Sequence, residues 1–396
     1  MDGMCKSISF LLGAGFSAPI GYPLGKDIGR YVEYIIDKKA EVIKRKDSHF
    51  GDLVPLILQI MMNHFKSENE DFNYEDFYEY IEKCRSNDEI NRELSKYEKN
   101  DTIDGLTRSY KRCYRKCVYN LFVDAIKRSY HEGHDDEIIS KYEKFISELD
   151  VLLKKGYEIN VHTLNHDLLF EKFKKSNLIG KEICDGYEYE NTPYKGHFRE
   201  NNLTETPFYN EKYDGYKIQF EGQIDKDNLV KIPFFNKKWD KKLRLYKLHG
   251  SIDQYICENI PSYSSHIKLN DFIDKEKPLY RCNKTFSISN TTPDFLVGKE
   301  SKEKMYNTLY YQCLIPEFIN NLYNSEYLII IGYGMNDKGI NDIIDKCFFL
   351  SSNKQCLIYD PCKKINKEMA EFVKNHNAHL ISKSAENFVL PINLKL

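Results

Sequence analysis

The 396-residue sequence predicts an α/β protein with a doubly wound parallel sheet, a large helical insertion and a smaller β-rich insertion. Three observations carry that prediction. Apolar runs of strand-forming residues recur at residues 7–12, 157–164, 243–248, 327–331 and 355–359. Each run ends in glycine or polar loop residues, and several lead into helical periodicity, the alternation that yields parallel strands joined by crossover helices. Between the first run and the second, apolar residues recur every three or four positions, so helices fill that interval.

Taken in order, residues 7–12 read as a buried parallel strand ending in Gly13-Ala14-Gly15. Leu24, Ile28, Val32, Ile35 and Ile36 then share one helical face, as do Leu53, Leu56, Ile57, Ile60 and Met61, and Phe77, Tyr80, Ile81 and Cys84. The longest series is Tyr114, Cys117, Val118, Leu121, Phe122, Ala125 and Ile126, followed by Tyr142, Phe145, Ile146, Leu149 and Leu152. Residues 24–155 thus form a helical insertion within a single domain of residues 1–396. Residues 185–242 are polar and aromatic, punctuated by Gly and Pro, with short runs at 216–220 and 229–235 that predict β-hairpins in a second insertion. Helices are expected again at 340–348 and 363–373.

Composition removes several functions. With 58 Lys+Arg against 60 Asp+Glu there is no basic field to hold nucleic acid, which is expected to be involved only indirectly. The 23 Phe and 30 Tyr supply apolar area that a disordered chain lacks. The 11 cysteines are scattered and contain no C-x-x-C, which argues against a zinc ribbon or a disulfide framework, and no metal is expected. No apolar stretch reaches the roughly 20 residues that span a bilayer, and no signal segment is evident, so the expected location is cytoplasmic, away from membranes.

Four segments stand at the ends of predicted strands, where open α/β sheets place ligands. The first, Gly13-Ala14-Gly15-Phe16-Ser17-Ala18, fits G-x-G-x-x-A, a Rossmann-like turn whose glycines let the backbone approach a pyrophosphate. The acidic ribose ligand expected about 20 residues on is missing, because Asp37 lies among lysines on a helix. The second is Thr163-Leu164-Asn165-His166-Asp167, where Asn and Asp on one turn can face one crevice while one of them caps the next helix. The third is Lys247-Leu248-His249-Gly250-Ser251, in which a tight turn after His249 would leave its imidazole facing the crevice, suited to proton transfer near neutral pH. The fourth is Gly332-Tyr333-Gly334-Met335-Asn336-Asp337, a second glycine turn, and Tyr359-Asp360-Pro361 closes the last long strand where the adenosine end would lie.

In this order the segments, with Gly21-Tyr22-Pro23 after the first, resemble the sirtuin superfamily. That resemblance implies a sheet that binds NAD+, with no metal required for the reaction. It places the catalytic roles on Asn165, Asp167 and His249: the Asn and Asp hold the nicotinamide ribose and carboxamide, and the His acts as a base on a ribose hydroxyl. The cofactor-binding set it implies comprises Gly13, Ala14, Gly15, Phe16, Ser17, Pro23, Thr163, Asn165, Asp167, Gly332, Tyr333, Gly334, Asp337, Tyr359 and Asp360. Sirtuin deacylases carry a four-cysteine zinc module after the His-Gly, which this sequence lacks, and the segment Leu296-Val297-Gly298-Lys299 matches their substrate-pairing strand poorly. The large helical block and the missing module look like the sirtuin-like NAD+ hydrolases of bacterial antiphage defence. Such an enzyme cleaves NAD+ to nicotinamide and ADP-ribose and causes abortive infection. It would be held in check by homo-oligomerisation or by a partner such as a HerA-type ATPase. The alternatives are an NAD-dependent protein deacylase and a silent NAD+- or ADP-ribose-sensing module.

Other polar clusters read as solvated surface. They are His131, Glu132, His134, Asp135 and Asp136, the pair His376 and His379, and Lys237, Lys238, Lys241, Lys242 and Arg244 around Trp239.

Overall fold

The computed structural model describes residues 6–44, 54–69, 72–83, 135–192, 195–200, 230–258, 266–268, 278–282, 287–288, 294–296, 308–350, 354–362 and 365–391. The helical series at residues 114–126, the run at 216–220 and residues 131–134 lie outside them.

Strand β1 (Ser7–Leu12) is followed by a one-turn helix α1 (Ala14–Ser17), then α2 (Gly25–Lys44), α3 (Val54–Glu68) and α4 (Tyr74–Lys83). The predicted helix around residues 142–152 is two helices, α5 (Asp135–Lys141) and α6 (Glu143–Lys154), broken at Tyr142. Its hydroxyl leaves the helical series to donate to the main-chain oxygen of Phe16 at 2.5 Å. Among the described residues between β1 and β2 (Glu158–Thr163), every regular element is helical, as the periodicity predicts. After β2 come α7 (Leu169–Lys172), β3 (Ile183–Cys184), β4 (Gly186–Glu188), β5 (Lys195–Glu200), β6 (Val230–Lys231), β7 (Phe234–Lys238) and β8 (Leu243–Lys247). Then follow β9 (Gln254–Glu258), β10 (His266–Lys268), β11 (Pro278–Cys282) and β12 (Ser287–Ile288). The chain closes with α8 (Leu309–Asn324), β13 (Tyr327–Ile331), α9 (Lys338–Cys347), β14 (Gln355–Tyr359), α10 (Lys367–His376) and β15 (His379–Ile381).

Seven strands form the central sheet in the order β15-β14-β13-β1-β2-β8-β3, and every pair in it is parallel. Apart from the edge strand β3, this is the doubly wound order in which the chain reverses direction across the sheet at β1. Alternation along the strands covers both faces. Ile8, Phe10, Leu12, Ile159, Val161, Leu243, Leu245, Ile329 and Ile331 pack under α2–α6, while Leu11, Tyr246, Leu328, Ile330 and Ile358 pack under α8–α10. Each such side chain, fully buried, contributes about 1.5–3 kcal/mol.

The second face also holds a polar track. Ser9 and Ser325 share a 2.8 Å hydrogen bond, Asn160 donates to Ser7 at 3.1 Å, and Ser325 donates to the Asn321 carbonyl at 2.7 Å. Buried polar groups persist when they are bonded to one another, and these tie the end of α8 to β1 and β2.

The antiparallel strands extend beyond the stretch the sequence predicts. A five-stranded sheet, β12-β9-β10-β7-β4, takes β4 and β7 from before β8 and the other three from after it, and β11-β5-β6 form a third sheet. The sequence predicts none of the strands β9–β12.

Candidate active site at the strand ends

Register brings the sequence segments together. Leu12 pairs with Thr163 on one side and Ile331 on the other, Thr163 pairs with Lys247, and Ile331 pairs with Tyr359. Five strands therefore end on one line, and the loops leaving them share one edge of the sheet.

At the centre of that edge β1 and β13 hand over to their loops in contact. Gly13 N–H donates to the Ile331 carbonyl at 3.0 Å, and Gly15 N–H donates to the Gly332 carbonyl at 2.9 Å. A Cβ on Gly13 would stand 2.6 Å from the Gly332 oxygen, and one on Gly332, whose φ is +64°, would stand 2.3 Å from the Phe16 nitrogen. Gly13, Gly15 and Gly332 are thus needed for the two backbones to come this close. Ala14 and Pro23 are half-buried on the rim. Phe16 turns its ring into the core against Phe145, centroids 5.0 Å apart, and offers the crevice main chain only.

The second segment forms a folded polar turn. Thr163 Oγ1 accepts the Asn165 N–H at 3.0 Å. Asn165 donates from Nδ2 to the Gly13 carbonyl at 2.9 Å and to Ser17 Oγ at 3.0 Å. Both Nδ2 hydrogens are used, so Oδ1 is the atom with which Asn165 can act on a hydroxyl or a water. Asp167 accepts the Leu169 N–H at 3.0 Å in an Asx turn just ahead of α7, and is bonded by the Ser17 hydroxyl. Burial raises its carboxyl above the ordinary carboxylate range, while Lys247, Leu169 and Ser17 pull it back.

His249 is buried, and its Nε2 lies 3.3 Å from Asp337 Oδ2, across the crevice from β8 to the β13 loop. Asp337 also caps α9, Oδ1 accepting the Ile340 N–H at 3.2 Å. Its carboxylate is therefore fixed by the helix it starts, and a carboxylate held against an imidazole orients the ring. Gly250, at φ +75°, makes the turn that sets His249 there. This His249–Asp337 pairing is a three-dimensional fact; the two motifs are far apart in sequence.

Some residues of the implied binding set present main chain rather than side chain. Tyr333 is buried, its hydroxyl accepting the Asp337 N–H at 3.1 Å and lying 2.9 Å from Asn341 Oδ1. Tyr359 runs into the core, donating to the Val389 carbonyl at 2.8 Å. Asp360 closes its own turn, accepting the Cys362 N–H at 2.7 Å, and the Gly334 carbonyl accepts from Asn366 at 2.7 Å.

Two buried groups escaped the sequence reading. His162, inside β2, stacks on Tyr246 with centroids 5.0 Å apart and contacts the Phe10 carbonyl through Nδ1 at 3.1 Å; burial holds it down to about 3. Lys247 donates to the Asp167 carbonyl and pairs with Glu171 at 3.2 Å. The clusters read as surface behave as surface ion pairs where described: Asp135 pairs with Lys172 and Lys175, His376 with Asp345, and Arg244 with Glu158.

Among the described residues no group of three or more His, Cys, Asp or Glu could hold a metal ion, and no helix is long and apolar enough to cross a membrane.

A doubly wound parallel sheet with glycine turns at its reversal point and a polar crevice beside them defines a dinucleotide-binding class of α/β protein. Within that class the family is also shown: a SIR2-like domain model matches residues 160–381, more than half of the chain, and the chain belongs to this sirtuin-type family of NAD-binding enzymes. Among solved structures, that of Sir2Tm bound to a propionylated peptide is similar at 12% identity and a TM-score of 0.35, over 97% of this chain and 90% of that one. The comparison with curated proteins gave no match.

Proposed function

We propose that the protein is an NAD+ glycohydrolase that cleaves NAD+ to nicotinamide and ADP-ribose, as the NAD-depleting effector of an antiphage, abortive-infection system. The observation that carries this reading is the convergence of Asn165, Asp167 and His249 beside the Gly13–Gly332 crossing. In the reaction the bond from the ribose C1′ to the pyridinium nitrogen breaks, and nicotinamide leaves with the electron pair. Water then adds to C1′ and loses a proton. Such a step needs a held ribose and a placed water more than a strong nucleophile. Asn165 Oδ1 suits the water or a ribose hydroxyl, Asp167 suits the ribose and carboxamide, and His249 backed by Asp337 suits the proton. An activity that exhausts NAD+ has to be restrained in its host, so control by self-association or by a partner ATPase of the HerA type belongs to the same proposal.

The test is incubation of the purified protein, over a range of concentrations followed by light scattering, with NAD+ alone and with an acylated lysine peptide. Nicotinamide and linear ADP-ribose formed without peptide are expected, and loss of both in Asn165→Ala. Nicotinamide released only when the peptide is present and deacylated would replace this reading with a deacylase.

A further inference from the structure

We propose that Lys247 is a positioning residue for the Asn165–Asp167 turn, fastening its main chain to the buried carboxylate of Glu171 and through it to the antiparallel sheet. The inference rests on the reading above and adds a residue to it.

Lys247 is the last residue of β8, in register with Thr163 at the end of β2, and its side chain is 4% exposed. A buried ammonium costs several kcal/mol unless it is paired and bonded, and an apolar side chain of the same length would fill the space without that cost. What the ammonium does locally is specific. It donates to the main-chain oxygen of Asp167 and lies 3.2 Å from Glu171 Oε1. One cation thereby joins the turn carrying the candidate catalytic pair to α7, the helix that follows it.

Glu171 does not end the chain of charges. Its Oε1 is also 3.4 Å from Lys268 Nζ, which lies 2.9 Å from Asp185 Oδ2 and 3.7 Å from Asp253 Oδ2. Lys174 reaches the same Asp185 oxygen at 3.0 Å. Burial alone would raise the Asp185 carboxyl, yet Lys268 and Lys174 hold it well below the usual carboxylate range. Glu171 is likewise held down by Lys247 and Lys268 against its burial. Charges alternate without a break from Asp185, beside β4, through Lys268 of β10 and Glu171 of α7 to Lys247. The turn is thus braced from the antiparallel sheet.

The consequence is a pH signature. Asp167 is faced by Ser17 from α1, by Lys247 from β8, and by Glu171 and the Leu169 N–H from α7. Burial raises its carboxyl and Lys247 opposes that rise, so removing the cation lets Asp167 take up a proton at a higher pH. A side chain that merely packed would not move that titration.

The experiment compares wild type, Lys247→Met, Lys247→Arg and Glu171→Gln by NAD+ turnover against pH and by hydrogen exchange at residues 164–169. Lys247→Met is expected to lower kcat by about tenfold or more while KM changes less than about threefold, since it disturbs orientation more than binding. Its acid limb moves to higher pH and exchange at 164–169 accelerates. Lys247→Arg, which keeps the charge, leaves the acid limb in place, and Glu171→Gln accelerates exchange to a lesser degree. An unchanged acid limb and unchanged exchange in Lys247→Met overturn the proposal. If Lys247→Met does not fold, Glu171→Gln and Lys247→Arg decide by the same two readouts. If the wild type turns over no NAD+, the proposed activity falls, and the exchange comparison alone still decides the role of Lys247.

Discussion

At the crossing of β1 and β13 the crevice is made of backbone: Gly13, Gly15 and Gly332 touch main chain to main chain, and the side chains of Phe16 and Tyr333 turn away into the two cores. On the next two strands, at the ends of β2 and β8, it is made of side chains: Asn165, Asp167 and Lys247 are buried and bonded, and His249 is buried against Asp337. The difference teaches what each half tolerates. A backbone crossing has no slack, so added atoms break the fold; a polar turn can lose a side chain, keep the fold and lose the chemistry. The polar half also holds two groups that burial shifts, His162 downward and Asp167 upward, so its contribution varies with pH.

The largest effect is expected from Gly332→Ala. Its Cβ would meet the Phe16 nitrogen at 2.3 Å and the Gly15 carbonyl carbon at 2.4 Å, at a φ of +64° that disfavours any L side chain. Backbone on both sides cannot yield as a flexible side chain would, and a loss of more than about 4 kcal/mol is expected in urea denaturation. Gly334→Ala is the control from the same segment. Its Cβ meets only side chains, the Asn336 amide at 3.2 Å and the Asn366 amide at 3.8 Å, and the change should stay below about 1 kcal/mol. Equal midpoints for the two variants would refute the account of the crossing.

Asn165→Ala breaks the other half in the opposite manner. It removes two hydrogen bonds, to the Gly13 carbonyl and Ser17. Stability is expected to fall by only about 1–2 kcal/mol. Turnover is expected to fall at least about 100-fold, the scale on which one positioned polar group acts in a closed site. A variant that unfolds would make Asn165 part of the frame, and one that turns over NAD+ normally would remove it from the chemistry.

What could be read from sequence follows the same division. The strands β1, β2, β8, β13 and β14 were legible because each is an apolar run or, as at Tyr157, Ile159 and Val161, an apolar alternation, stopped by glycine or a polar turn. The edge strands β3 and β15 were not: they are two and three residues long, and His379 and Leu380 are exposed, so no periodicity marks them. The Tyr142 hydroxyl meets the Phe16 carbonyl 126 positions away, a contact no local pattern marks. Within the site, the motifs could be found because glycine, Asn and Asp leave local signatures. The partners could not: His249 meets Asp337, and His162 meets Asn321 at 3.2 Å, by register between distant strands and helices. Lys247 stood inside a recognised segment, but only the fold shows that its ammonium is buried against Asp167.

The contrast in titration can be sharpened at His162. Burial keeps its ring neutral, pulled down to about 3, with the contact to the Phe10 carbonyl only partly opposing. In the unfolded chain the ring titrates near 6.5, so below that pH the unfolded state takes up a proton that the folded state refuses. Stability from this group is therefore full above about pH 6.5 and declines as the pH falls, by about 2 kcal/mol at pH 5. His162→Gln, which can still donate to Phe10 and accept from Asn321, should flatten that slope. Urea midpoints at pH 8, 6 and 5 check it; a wild-type-to-variant difference that does not change with pH would show that the ring is not held neutral.

The smallest expected effect lies behind the glycine half. The Tyr333 hydroxyl accepts the Asp337 N–H at 3.1 Å and lies 3.1 Å from the Asp337 carbonyl and 2.9 Å from Asn341 Oδ1. One hydroxyl hydrogen serves one of these acceptors at a time. It thus steadies the turn whose carboxylate faces His249, without reaching the crevice through its ring. Tyr333→Phe keeps the ring packing and removes only the hydroxyl, so a loss of about 1 kcal/mol is expected. The KM for NAD+ should change by less than about threefold, since a contact made equally in both states would appear in KM and none is removed. A KM raised tenfold at unchanged stability would instead put the Tyr333 hydroxyl on the nucleotide, and the glycine half would then contribute a side chain after all.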